Sequence, residues 1–188
     1  MNLMISTTSS RPAPAAKNAN PGIDILSYAI GECALGRVLV ARSDRGVCAI
    51  LIGDMDEDLT DDLANRFPEA ELIANEIAVH DDLAKIILFV KKPADGLHLT
   101  LDMRGTPFQR RVWEELCAIP AGKTTTYMEL ARHVGAQTSP RAVGAACAAN
   151  PIALAIPCHR VVRSDGDLAG YRWGIERKRE LLRKEAIV

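Results

Sequence analysis

The chain has 188 residues, 48% of them hydrophobic and 25% charged, with a formal net charge of −1, which suits a globular protein of one large domain or two small ones and excludes a low-complexity or fibrous chain. No apolar run reaches the roughly 20 residues a membrane helix needs, and residues 1–22, with Ser9, Ser10, Pro12, Pro14 and Pro21, lack the apolar block of a signal peptide and read as a flexible tail of a cytoplasmic protein. The small net charge hides a division, since residues 1–100 hold 9 Lys and Arg against 15 Asp and Glu, net −6, and residues 101–188 hold 14 against 9, net +5.

The first half predicts a small α/β scaffold domain over residues 23–102. Leu26–Ile30, Arg37–Ala41 and Val47–Ile52 are apolar and, in the last two, rich in β-branched residues, with Asp44-Arg45-Gly46 supplying hairpin chemistry. Three antiparallel strands are expected. The acidic stretch Asp54–Asp62 runs into a short helix near Leu59–Phe67, and Ile77, Leu83, Ile86, Ile87 and Val90 suggest a second helix. Alternation of Leu97, Leu99 and Leu101 marks a further strand. None of these residues carries recognisable chemistry.

From Thr106 onward, start and stop signals are dense, and residues 103–188 form the second expected domain. Thr106 caps a helix with Pro107 first and Gln109 reaching back, and Phe108, Val112, Trp113 and Leu116 form its buried stripe. Thr126 and Glu129 repeat the capping box, opening a helix that buries Tyr127, Leu130, Ala131 and Val134 and leaves through Gly135. Ser139 caps a third helix that starts at Pro140 and ends at Asn150-Pro151, giving a helix-turn-helix pattern. After Arg141 that helix reads Ala142, Val143, Gly144, Ala145, Ala146, Cys147, Ala148, Ala149, with almost nothing able to hydrogen-bond a base edge. Small side chains fit shape-dependent docking in a narrow groove or an Ala-rich core helix, and both readings stand. The net positive charge fits a nucleic-acid face or plain solvated surface.

Five cysteines, Cys33, Cys48, Cys117, Cys147 and Cys158, are odd in number and scattered, which argues for free thiols. His80, His98, His133 and His159 fall at no zinc-ligand spacing, so no metal is expected. Cys158 stands beside His159 in an apolar run. On an extended strand neighbouring side chains point to opposite faces, so a proton would pass between them through a bridging water. A buried structural cysteine is the plainer reading of the dipeptide. On a last helix over Ile175–Glu185, Lys178, Leu181, Leu182 and Glu185 share one face, making Glu185 either a buried partner of His159 or an exposed last-turn carboxylate.

Gly105-Thr106-Pro107-Phe108-Gln109, Gly122 through Tyr127, Arg141-Ala142-Val143-Gly144, Asn150-Pro151, Ile156-Pro157-Cys158-His159-Arg160-Val161-Val162 and Gly170-Tyr171 resemble the O6-alkylguanine-DNA alkyltransferases. The resemblance covers about residues 25–186, and the ending Gly170-Tyr171-Arg172-Trp173-Gly174 looks most like the C-terminal part of the bacterial Ada branch. It implies a ribonuclease H-like N-terminal α/β domain, a small antiparallel sheet with helices, followed by a mostly helical, winged helix-turn-helix-like domain. It also implies a cofactor-free, single-turnover repair protein that moves the alkyl group of O6-alkylguanine, or of O4-alkylthymine, to its own cysteine.

By that similarity Cys158 is the acceptor, His159 the water-assisted base, Glu185 its orienter, Asn150 a hinge and Tyr127 a donor to the leaving base. Arg141 would enter the base stack, with Thr126, Ser139, Gly144 and Ala148 also on the DNA. Tyr127, Val161, Tyr171, Arg172 and Trp173 would line the base pocket, with Ala153 and Trp173 near its entrance. The implied partner is double-stranded DNA gripped through the minor groove by a monomer, with no membrane. Lys123 and Thr138 depart from the Glu and Lys expected there, which puts the nearby phosphate contacts in doubt. With no cysteine-rich zinc module upstream, phosphotriester repair and gene regulation are not expected. A binding-only lesion sensor and a thiol hydrolase are the alternatives. Cys158 itself argues against the first, and the helix-turn-helix is superfluous to the second.

Overall fold

The computed structural model describes residues 22–186 apart from 136 and 169, so residues 1–21 of the expected tail lie outside the described residues. Strands β1 (Asp24–Cys33), β2 (Gly36–Arg42) and β3 (Val47–Gly53) pair antiparallel. The pleat sends alternate residues to opposite faces, so Val38 and Val40 enter the main core while Leu39 and Ala41 enter a smaller one. The β2–β3 turn requires glycine: Gly46 has φ 144°, and an added Cβ would lie 2.5 Å from the Thr100 carbonyl oxygen.

The sheet is mixed rather than antiparallel. A fourth strand, β4 (Ala70–Ala74), lies parallel to β1 in the order β3-β2-β1-β4. As an edge strand it is mostly exposed and shows no apolar alternation to read. The strand expected at Leu97–Leu101 is instead an irregular segment with one bridge, Leu101 to Val47. Val47 donates to Thr100 O at 2.9 Å and Asp102 donates to Val47 O at 2.8 Å. The three leucines satisfy their alternation by packing on the main core without a ladder.

Helix α1 (Asp56–Arg66) begins three residues before the expected Leu59, because Asp56, Glu57 and Asp58 suit the positive end of the helix dipole. Helix α2 (Glu76–Lys91) buries Val79, Leu83, Ile86, Phe89 and Val90, but Ile77 is 92% exposed. Six residues before Leu83, it stands about 240° round the helix from it.

The second half contains α3 (Pro107–Cys117), α4 (Tyr127–Val134), α5 (Pro140–Ala149) and α6 (Ile175–Glu185). Both capping boxes form, with Gln109 N donating to Thr106 Oγ1 at 3.2 Å and Glu129 N to Thr126 Oγ1 at 3.1 Å. Ala142 N donates to Ser139 Oγ at 3.1 Å. Two short strands, β5 (Thr125–Thr126) and β6 (Val161–Val162), pair parallel and join the entry of α4 to the chain just beyond Cys158.

The main core draws on both halves. Val40, Ile50, Ile86 and Val90 pack in one cluster with Val112, Trp113, Ile152 and Leu181. Backbone bonds reinforce this seam, with Ile50 N donating to Pro151 O at 3.0 Å and Ala153 N to Ile50 O at 2.9 Å. No helix among the described residues is long and apolar enough to cross a membrane.

Candidate active site

Cys158 sits in a 3₁₀ turn, Cys158–Arg160, and not on the extended run that its neighbours suggested. The preceding loop doubles back, with Ile156 N donating to Ile152 O at 3.1 Å, which brings the chain into a turn before β6. Successive side chains in such a turn diverge by about 120°. Thiol and imidazole therefore still point apart, for a different geometric reason, and they form no direct hydrogen bond among the described residues.

Asn150, fully buried at the end of α5, organises that loop. Its amide donates to Ile156 O at 2.9 Å and to Cys158 Sγ at 3.5 Å, and its carbonyl accepts from Ile152 N at 2.8 Å. Leu154 in the same loop adopts φ 68°, a left-handed conformation that costs a non-glycine residue about 1–2 kcal/mol. The bonds from Asn150 on either side of it hold it there.

Cys158 is 5% exposed. Burial pushes its thiol up to about 11, against the opposing pull of the Asn150 amide and the Lys178 ammonium. Lys178 is itself fully buried and donates to Val161 O at 2.6 Å. At neutral pH the thiol keeps its proton, so nucleophilic chemistry here needs a base.

His159 and Glu185 are both fully buried, with Nε2 and Oε1 2.9 Å apart. The carboxylate can only accept, so Nε2 carries hydrogen and Nδ1, which has no hydrogen-bond partner among the described residues, is the ring's acceptor. Burial lowers the His159 pKa while Glu185 pulls it up. Burial acts to raise Glu185, but hydrogen bonds from His159 and Arg160 bring it down to about 2. Arg160 donates through Nε to Oε2 at 3.0 Å and through Nη2 to Oε1 at 2.8 Å. Sequence reasoning paired Glu185 with His159 and missed Arg160. A buried carboxylate has more acceptor sites than one imidazole can fill, and that was the available signal.

Cys158 opens on a cavity of about 360 Å³. Of the residues expected there, Tyr127, Tyr171 and Arg172 line it, as do Gly144 and Ala148 from α5. Cys147 and Gly170, which were not among the residues expected to line the pocket, complete the wall. Val161 and Trp173 are buried and do not line it, although the Trp173 ring lies edge-on to Tyr171 with centroids 5.2 Å apart. Ala153 is fully buried against β3 rather than at an entrance. Burial pushes the Tyr127 hydroxyl up to about 12, so it remains a donor.

Helix α5 has one core face and one exposed face. Val143, Ala146 and Cys147 are core, whereas Arg141, Ala145 and Ala148 are exposed at helical spacing. Arg141 forms no ion pair among the described residues. Thr126 and Ser139 use their hydroxyls as caps. Lys123 is exposed and Thr138 half-buried, both on the segments that flank α4.

The profile of the family described as 6-O-methylguanine DNA methyltransferase, DNA binding domain, matches residues 107–187. The chain is 48% identical over 159 residues to the bifunctional transcriptional activator/DNA repair enzyme Ada of Escherichia coli, covering 85% of this chain and 45% of that protein. The chain thus spans about half the length of that relative and of the Salmonella typhimurium regulatory protein ada. It is 37% identical over 172 residues to the methylated-DNA–protein-cysteine methyltransferase of Candida albicans, covering 86% of this chain and 97% of that one. Among solved structures, the Mycobacterium tuberculosis O6-methylguanine methyltransferase superposes with a TM-score of 0.66 at 31% identity, over 86% of this chain and 93% of the other. A buried cysteine over a small cavity, held by a loop-closing asparagine and a His-Glu pair, thus accompanies near full-length likeness, and the chain belongs to the methylated-DNA–protein-cysteine methyltransferase family.

Proposed function

We propose that this protein reverses alkylation damage in DNA by moving the alkyl group of O6-alkylguanine, and of O4-alkylthymine, to Sγ of Cys158. The observation that carries this reading is the Cys158 thiol on a cavity of about 360 Å³ beside a buried imidazole whose free nitrogen is an acceptor. The thiol proton passes through a bridging water to Nδ1 of His159, oriented by Glu185. The thiolate attacks the alkyl carbon and the C–S bond forms as the C–O bond breaks; the departing guanine accepts a hydrogen bond from the Tyr127 hydroxyl and takes up, through water, the proton that the thiol gave up, which returns His159 to its neutral form. The thioether offers water no leaving group, so each molecule acts once. Apart from the bridging water, the chain and the damaged base supply every group this reaction uses, so it calls for no cofactor or metal.

The lesion must leave the duplex to reach a buried thiol, at a cost of roughly a few kcal/mol. In this reading the exposed small-residue face of α5 enters the minor groove as a monomer, Arg141 fills the vacated stack, and Thr126, Ser139, Gly144 and Ala148 meet the backbone. Tyr171 and Arg172 hold the extruded base, with Val161 and Trp173 supporting the wall. Residues 23–102 serve as a ribonuclease H-like scaffold and residues 103–188 as the winged helix-turn-helix-like reacting domain.

Incubation with a duplex carrying O6-methylguanine, followed by peptide mass spectrometry, tests the proposal. One methyl group on the Cys158 peptide per molecule is the expected result. An unmodified Cys158, or repeated turnover, overturns it, and steady-state hydrolysis of an activated ester without DNA would point to a thiol hydrolase.

A further inference from the structure

His159 can accept a proton only while it is neutral, yet it faces a fully buried carboxylate. In a sealed interior a lone Glu185 would favour an imidazolium partner, and Nδ1 would then already hold a proton. Glu185 is not alone. The Arg160 guanidinium spans both of its oxygens, and a guanidinium does not deprotonate in proteins. We infer that Arg160 is a positioning residue for the relay: by sharing the Glu185 carboxylate with the imidazole, it keeps His159 neutral and aims its free nitrogen toward the thiol side. This rests on the function proposed above and adds to it a residue outside the Cys158-His159-Glu185 set.

The geometry has three anchors. Nε and Nη2 of Arg160 fix the plane of the carboxylate, which leaves Oε1 directed at Nε2 of His159. Nη1 of Arg160 donates to Ile119 O at 2.5 Å, tying the reactive turn to the loop between α3 and β5. In that loop Gly122, at φ 73°, lets the backbone approach the last turn of α6, since an added Cβ would lie 3.0 Å from the Glu185 carbonyl oxygen.

The charged and titratable groups facing His159 are Glu185 and Lys178 from α6, Cys158 and Arg160 from its own turn, and Tyr171 from the segment before α6. Glu185 favours the charged ring. Arg160 and Lys178 oppose it, and Arg160 is the one of the two bonded to the carboxylate itself.

Titration of the His159 ring by NMR in the full, unreacted chain tests this without any alkyl transfer. Arg160→Gln removes the fixed charge, and the His159 midpoint is expected to move to higher pH. The acidic limb of the transfer rate should follow, with roughly tenfold slower transfer at neutral pH. An unchanged midpoint in a folded Arg160→Gln protein overturns the inference. Arg160→Lys keeps the charge without the fork and provides the second arm if Arg160→Gln fails to fold. Its midpoint should stay near that of the parent while transfer slows, and a parental transfer rate, or a midpoint displaced upward, counts against Arg160. Should the parent protein itself leave Cys158 unmethylated, the proposed function fails while the titration result still stands.

Discussion

Cys158 holds its proton in the free protein because burial outweighs the Asn150 and Lys178 contacts, so the reaction depends on a neighbour taking that proton. Cys158→Ala should retain DNA affinity in a gel-shift assay and lose all transfer. If transfer persisted, Cys147, the other thiol in the cavity wall, would be the acceptor. Glu185→Gln removes the carboxylate that orients His159 and stabilises the imidazolium. With general bases contributing about 10²–10⁴-fold, single-turnover rates should fall by about 10²-fold. In the parent protein transfer should slow as pH falls through the lowered His159 pKa, because a protonated ring accepts nothing. The cysteine, histidine and asparagine could be read from the chain because they lie within nine residues of one another. The part of Arg160 could not, because whether its long side chain turns to solvent or joins His159 on Glu185 depends on how the turn packs against the last helix.

Helix starts on α3, α4 and α5 were legible to the residue, since a cap is a contact between a side chain and a backbone N–H three residues on. What α5 presents was not legible, because an Ala-rich helix looks the same in a core as in a groove. Exposure of Arg141, Ala145 and Ala148 now separates its faces. Ala148→Glu should therefore leave stability within about 0.5 kcal/mol, as exposed substitutions do. It should also weaken duplex binding and slow transfer to Cys158, because a carboxylate would stand on the face proposed to meet phosphates. Unchanged binding at low salt would remove α5 from the interface. The β elements were harder to read. An edge strand such as β4 has one neighbour and little burial, while the 97–101 leucines alternate without a partner strand.

Both halves of the molecule fold around one main core, and that core carries the acid sensitivity. Glu185 falls from 4.5 to about 2 on folding, so it contributes stability on the order of 3 kcal/mol above pH 4.5 that disappears as pH drops toward 2. His159, lowered by burial, acts in the same direction, since below its ordinary 6.5 the unfolded chain binds the proton first. Urea unfolding should show stability declining from about pH 6.5 and more steeply below 4.5, and Glu185→Gln should flatten the lower part. An identical decline in that variant would clear Glu185 of the role. Surface pairs between the halves, such as Arg172 with Asp62 at 2.7 Å, are partly exposed and add little at ordinary salt.

By itself the sequence determined the helix boundaries of the second half, the first three strands, the family motifs and the adjacency of Cys158 to His159, because each depends on residues close together in the chain. Only the tertiary structure decided the mixed sheet, the turn that presents Cys158 and the sharing of Glu185 between His159 and Arg160. Those features arise where distant segments meet and buried polar groups must find partners, a requirement that local pattern does not encode.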